Sequence, residues 1–144
     1  MHNMLKSLIY SAIAVSMLAS CATIQPTTHN PKVESVDVTI YRSGELQGSL
    51  TDAYVGWDGK YFAKLAKSEY TVLKVPVGMR EFTVRAHADL ANELTVMLKS
   101  ESPLCMMLQV NPDNIVGLNW FVPSYQLKQV ACLSEQQLSS YKKI

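Results

Sequence analysis

Ala53-Tyr54-Val55-Gly56-Trp57-Asp58-Gly59-Lys60-Tyr61-Phe62-Ala63-Lys64-Leu65 decides the fold. Residues 53–57 and 60–65 are short runs rich in apolar and aromatic side chains, and Asp58-Gly59 lies between them. A two-residue type I′ turn needs positive φ at both central positions, which Asp and Gly tolerate, so the stretch predicts a β-hairpin. Upstream, Val36, Val38 and Ile40 alternate with Asp37, Thr39 and Tyr41, the period of a half-buried strand, until Arg42-Ser43-Gly44 breaks it. Residues 44–51 form a polar, glycine-containing loop.

Downstream the pattern repeats. After a short connection at 66–68, Tyr70, Val72, Leu73 and Val75 form a β-rich run that ends at Pro76-Val77-Gly78, where proline presets φ and glycine takes the positive-φ position. Along 81–86, Phe82 and Val84 face opposite to Glu81, Thr83 and Arg85. Leu94, Val96 and Leu98 alternate with Thr95, Met97 and Lys99. Residues 104–110 (LCMMLQV) are apolar on both faces, the mark of a covered central strand, and Asn111-Pro112-Asp113-Asn114 stops them. Residues 115–123 (IVGLNWFVP) read as a short strand or a loop carrying exposed aromatics. Residues 125–132 alternate again. Ser134 and Gln137 form a capping box, and Leu138 and Tyr141 give a one-sided helix of two or three turns. The expected fold is all-β: an antiparallel β-sandwich of about seven to nine short strands with a short C-terminal helix, spanning residues 34–144.

The amino end has a different logic. Lys6 and the amino terminus precede an apolar run at 8–18 (LIYSAIAVSML), too short for the ~20 residues of a spanning helix but right for a signal helix. Leu18, Ala19 and Ser20 then lead to Cys21 in the pattern of a lipobox, with residues 1–20 as the lipoprotein signal peptide. The small residues at 19 and 20 let the peptidase reach the backbone. Cysteine is demanded because a thiolate is the nucleophile that forms a thioether to a diacylglyceryl donor. Two or more acyl chains hold stably, at about 0.8 kcal/mol per buried methylene. Lipidation at Cys21, with the further N-acyl chain (commonly palmitate) of Gram-negative bacteria, makes the membrane the first expected partner. Ala22 after the cysteine resembles lipoproteins sorted to the outer membrane, which gives a lipid-anchored, periplasm-facing location. Residues 21–33, rich in Thr, Asn and Pro, read as the lipidated end and a flexible tether, with some two nanometres of reach at roughly 5–6 Å × √n.

Composition narrows the function classes. The chain carries 13 Lys+Arg and 12 Asp+Glu. Loss of Lys6 with the signal leaves a formally neutral polypeptide, so no basic face points to nucleic acid. With Cys21 lipidated, two of the three cysteines remain. If 104–110 and 126–132 pair as an antiparallel hairpin, Cys105 and Cys132 sit nearly opposite. A disulfide there would contribute ~3–3.5 kcal/mol on the chain-entropy estimate. A meander through 115–122 would instead leave them as separate buried thiols.

The order of these motifs carries a likeness. Tyr41-Arg42 closing a strand, Asp58-Gly59-Lys60 in a hairpin, Leu65, Tyr70 opening the next strand, and Pro76-Val77-Gly78 follow a lipobox. Over residues 36–84 the chain resembles the small bacterial lipoprotein family of unknown function that has a prealbumin-like β-sandwich. The family turn often reads Pro-Pro-Gly where this chain has Pro76-Val77-Gly78. The resemblance implies a fold and a location, and brings no activity.

Candidate contact residues are aromatic. Trp120, Phe121 and Tyr125 cluster beside Pro123 as a candidate binding patch for a glycan, a membrane surface or a protein pocket, with core packing as the alternative. Trp57, Tyr61 and Phe62 beside the hairpin turn carry the same ambiguity. No Gly-x-Ser-x-Gly, no Cys–His arrangement and no glycine-rich phosphate loop occurs. His87 reads as a surface or strand-edge residue, and nothing in the sequence places Asp52 with Asp58, or Asp89 with Glu93, in a cleft. No catalytic residue, metal or cofactor is expected. The expected function is a membrane-anchored envelope lipoprotein whose sandwich acts as a binding or structural module toward a protein or glycan partner. The rival readings are an accessory subunit of a secretion or transport assembly, and an inhibitor or immunity lipoprotein against a cell-wall enzyme.

Overall fold

The computed structural model describes residues 22–27, 30–44, 51–86, 89–100, 102–114 and 121–144. Two sheets pack face to face. One runs β3 (Lys60–Leu65), β2 (Ala53–Trp57), β5 (Gly78–Ala86), β6 (Asn92–Leu98). The other runs β8 (Tyr125–Val130), β7 (Leu104–Val110), β1 (Ser35–Arg42), β4 (Glu69–Pro76), β9 (Lys142–Lys143). This is the expected all-β sandwich, with one short helix, α1 (Glu135–Leu138). Val38, Ile40, Val55, Leu65, Val75, Phe82, Val84, Met106 and Leu108 meet between the sheets with no exposed surface. Each such side chain contributes about 1.5–3 kcal/mol by leaving water.

Sequence alternation explains most of this inward face, and three departures have physical causes. First, β1 pairs β7 in parallel, as β4 pairs β9, so the five-stranded sheet is mixed. Alternation reports which face a residue takes, not the direction of its neighbour. Second, Thr83 is buried, although alternation puts it with the outward Glu81 and Arg85; it pairs Gly56, and the Lys60–Tyr61 backbone occupies the place a side chain at 56 would take. Third, α1 is a single turn. Its capping box is present, Ser134 accepting from the Gln137 amide and the Gln137 side chain reaching back. The chain then leaves the helix because Lys142–Lys143 add to β4 beside Glu69 and Tyr70.

The central hairpin forms as its turn residues require, with φ of 48° at Asp58 and 74° at Gly59. Its ladder shifts register between Val55 and Gly56, a bulge that lets Ala63 face the core and Phe62 pack against it. At Gly56 the backbone of the partner strand passes so closely that a Cβ would lie 1.7 Å from the Lys60 carbonyl oxygen. Only glycine fits there, and Tyr61 stands opposite it.

A second, smaller core lies outside the five-stranded sheet. Tyr41 is buried there, 6.0 Å from the Tyr70 ring and 5.9 Å from the Tyr141 ring. Its hydroxyl accepts from the Leu133 amide at 3.4 Å and meets Cys105 Sγ at 3.4 Å. β7 and β8 pair antiparallel, and Cys105 is bonded to Cys132 with Cα atoms 5.1 Å apart. The hairpin arrangement is therefore the one adopted, and the disulfide pins the segment after β8 over Tyr41.

Two substitutions test these constraints. Gly56→Ala should lower unfolding free energy by about 1–3 kcal/mol or more, the cost of overpacking against backbone. Cys132→Ser should lower it by about 3 kcal/mol. Chemical denaturation of each variant under non-reducing conditions measures both.

Candidate functional site

The two lateral sides of the sandwich are closed differently. On the β6–β8 side, the Asn92 side chain accepts from the Leu127 amide at 3.1 Å, and Asp89 accepts from the Ser124 amide at 2.8 Å. Among the described residues, these two side chains tie β6 and the Asp89 turn to the start of β8. On the opposite side the chain crosses from β3 to β4, and a cleft of about 350 Å³ opens between them.

Trp57 and Phe62 form its aromatic wall, stacked with centroids 3.8 Å apart. Lys60 from the hairpin and Lys74 from β4 bring two ammonium groups, and Gln25 and Asn30 bring amides. The bulge at Gly56 creates this wall, since it turns Phe62 toward Trp57 rather than out to solvent. Lys74 also pairs with Asp37 at 2.8 Å across the β1–β4 ladder.

The hairpin tip is held in place by Arg80. Its guanidinium donates to Asp58 Oδ2 at 2.8 Å, to the Pro76 carbonyl at 3.0 Å and to the Val77 carbonyl at 3.2 Å. The Asp58 amide donates to the Glu81 carbonyl at 2.8 Å. The two turns legible in the sequence, Asp58-Gly59 and Pro76-Val77-Gly78, are thus fastened together by an arginine that sequence patterning left unremarked. Gly78 has the expected positive φ, 110°.

The segment before β1 roofs the cleft. Ile24 bridges Tyr61 in parallel, and the Gln25 amide donates to the Tyr61 carbonyl at 2.7 Å. Ile24 and Gln25, within the segment read as the tether, therefore lie on the edge of β3. The unpaired carbonyl of an edge strand offers a better partner than water for a chain held beside it.

Around Tyr61 the outer face of the four-stranded sheet is aromatic and basic. Its ring meets Tyr54 edge-on at 6.1 Å, and the Arg85 guanidinium lies 5.2 Å from its centroid. Burial pushes the Tyr61 phenol above its ordinary range, with Arg85 opposing and Glu93 adding to the shift. Lys64 is also raised, by its hydrogen bond and charge attraction to Asp52, 2.8 Å away.

The far end of the sandwich has a different centre. Arg42, 3% exposed, donates to the Leu65 carbonyl at 2.5 Å, the Thr51 carbonyl at 2.6 Å and the Tyr125 hydroxyl at 2.9 Å, and lies over the Tyr125 ring at 5.1 Å. Tyr125 is 2% exposed, which removes it from the expected surface patch. As the first residue of β8 it pairs Val110, and its side chain points inward with Leu127. Phe121 is 89% exposed. Trp120 lies outside the described residues, as do Leu18, Ala19, Ser20, Cys21 and His87. Asp52, Asp58 and Asp89 are engaged with Lys64, Arg80 and the Ser124 amide. Among the described residues no three His, Cys, Asp or Glu side chains gather as a metal site, and no helix is long and apolar enough to cross a membrane.

No family model, curated protein or solved structure matches this chain.

The Tyr61 environment makes a pH prediction. A phenol whose folded pKa is raised contributes stability that is present below the unfolded value near 10 and lost as pH rises through the folded value. Lys64 acts in the same direction. Thermal denaturation across pH 8–11 should therefore show stability falling on the alkaline side, and Tyr61→Phe should make that fall shallower while Lys64 keeps the remainder.

Proposed function

We propose that this chain is an envelope lipoprotein, lipidated at Cys21 and anchored to the outer membrane on its periplasmic face, and that its β-sandwich is a non-catalytic binding module. The lipobox supports the anchor. The order of Tyr41-Arg42, Asp58-Gly59-Lys60, Leu65, Tyr70 and Pro76-Val77-Gly78 supports membership of the prealbumin-like lipoprotein family. The binding role rests on one observation: the cleft at the open β3–β4 side, where Trp57, Phe62, Lys60 and Lys74 combine an aromatic wall with positive charge. Concave sites lined by aromatic groups with a few placed polar groups are where ligands bind.

Two measurements test the reading. Cys21→Ser should move the protein from the membrane pellet to the supernatant after fractionation, and retention in the pellet would overturn the anchor. A photo-crosslinking residue at position 60 should yield a discrete adduct in intact cells, whereas one at position 128, exposed on β8, should not. Equal or absent adducts from both positions would remove the cleft as the contact site.

A further inference from the structure

Resting on the lipoprotein reading above, we infer that the sandwich lies against its own bilayer, with the β3–β4–β9 side turned to an anionic phospholipid surface. The first argument is covalent reach. Ile24 is already bridged to Tyr61 on the edge of β3. The three residue steps from Cys21 to Ile24 span at most about 11 Å when fully extended. An acylated Cys21 sits at the level of the headgroups, so the edge of β3 is drawn to within about a nanometre of them. The two nanometres that a flexible tether would allow are not available while this bridge holds.

The second argument is charge, and it is independent of the first. The side facing this short leash carries Lys60, Lys64, Lys67, Lys74, Lys142 and Lys143, all exposed. Three carboxylates lie with them, Asp52 on Lys64, Asp37 on Lys74 and Glu69 on Lys142. Among the described residues, these six ammonium groups of β3, β4, β9 and the 66–68 connection stand against three carboxylates, a net side-chain charge of plus three, in a chain whose mature portion is formally neutral. Basic side chains within a Debye length of an anionic leaflet are attracted to it, and salt weakens the attraction. Exposed Ile24 adds an apolar contact at the same place. The cleft opens on this side, so its aromatic wall meets the headgroup layer rather than the aqueous bulk.

Edge lysines also serve to keep a sheet from pairing with another chain, and the experiment separates that role from lipid contact. The full-length lipidated protein is reconstituted into vesicles of phosphatidylethanolamine, with or without one part in four phosphatidylglycerol, and amide hydrogen exchange is read by mass spectrometry. With phosphatidylglycerol, exchange at residues 58–62 and 72–74 should slow at least threefold relative to phosphatidylethanolamine alone. That slowing should vanish in high salt and in the Lys60→Glu/Lys67→Glu variant, and it should persist in Lys128→Glu. Equal exchange in both vesicles, with the protein still in the vesicle pellet, overturns the bilayer contact and leaves the lipoprotein reading standing. So does slowing confined to residues 121–130. A protein that carries no acyl mass on Cys21 sinks both.

Discussion

One guanidinium holds the two sheets in register. Arg42 leaves the end of β1 and reaches the Leu65 carbonyl at the end of β3, the Thr51 carbonyl just before β2 and the phenol of Tyr125 at the start of β8. Both sheets therefore end on the same side chain. A buried cation is expensive unless its donors are satisfied, and Arg is the residue whose planar fork can serve several acceptors at once while staying charged. Packing between the sheets supplies bulk stabilisation, but apolar contacts alone tolerate sliding. A charged fork with named acceptors does not, so it decides where β3 and β8 stop relative to β1.

That constraint was only half visible in the sequence. Tyr41-Arg42 stood out as a strand ending, yet nothing in a linear pattern tells a buried arginine from a solvated one, because its acceptors come from residues 51, 65 and 125. Tyr125 reads two ways for the same reason: an aromatic beside Pro123 suits a surface contact or the core, and only its hydrogen bond from Arg42 decides between them. Strands β1 to β8, the Asp58-Gly59 turn, the Pro76-Val77-Gly78 turn and the helix cap were legible because each is specified locally or by alternation, and the Cys105–Cys132 pair was one of two arrangements open; β9 was not legible, since two lysines carry no strand period. The cleft was not. It depends on a register shift at Gly56, on Arg80 fastening two turns, and on residues 24 and 25 meeting β3, none of which has a short-range signature. Trp57 and Phe62 were recognisable as candidates, but their stacking required the bulge.

The two lateral sides of the molecule express one physical problem solved twice. A sandwich leaves edges, and unsatisfied edge groups invite pairing with other chains. On the β6–β8 side, Asn92 and Asp89 answer this with direct side-chain hydrogen bonds to the neighbouring backbone. On the β3–β4 side the amino-terminal segment and the carboxyl-terminal β9 each cover part of an edge, and lysines line what is left. Among the described residues the same side thus gathers Ile24 and Gln25, the carboxyl-terminal β9, several exposed lysines and the opening.

The position of β1 bears on how the chain assembles. It lies between β4, which follows it closely in sequence, and β7, which does not appear until Leu104. In a polypeptide delivered amino end first, the four-stranded sheet and the β1–β4 pair can be complete by Leu98, while the other edge of β1 still waits. Val38 and Ile40 then belong to a half-built sheet with an open margin, and only the arrival of β7, β8 and the Cys132 thiol seals it. Long-range parallel pairing of this kind is slow to form, so the late half of the chain acts as the closing panel, and the nascent protein is most exposed to misassociation just before that panel arrives.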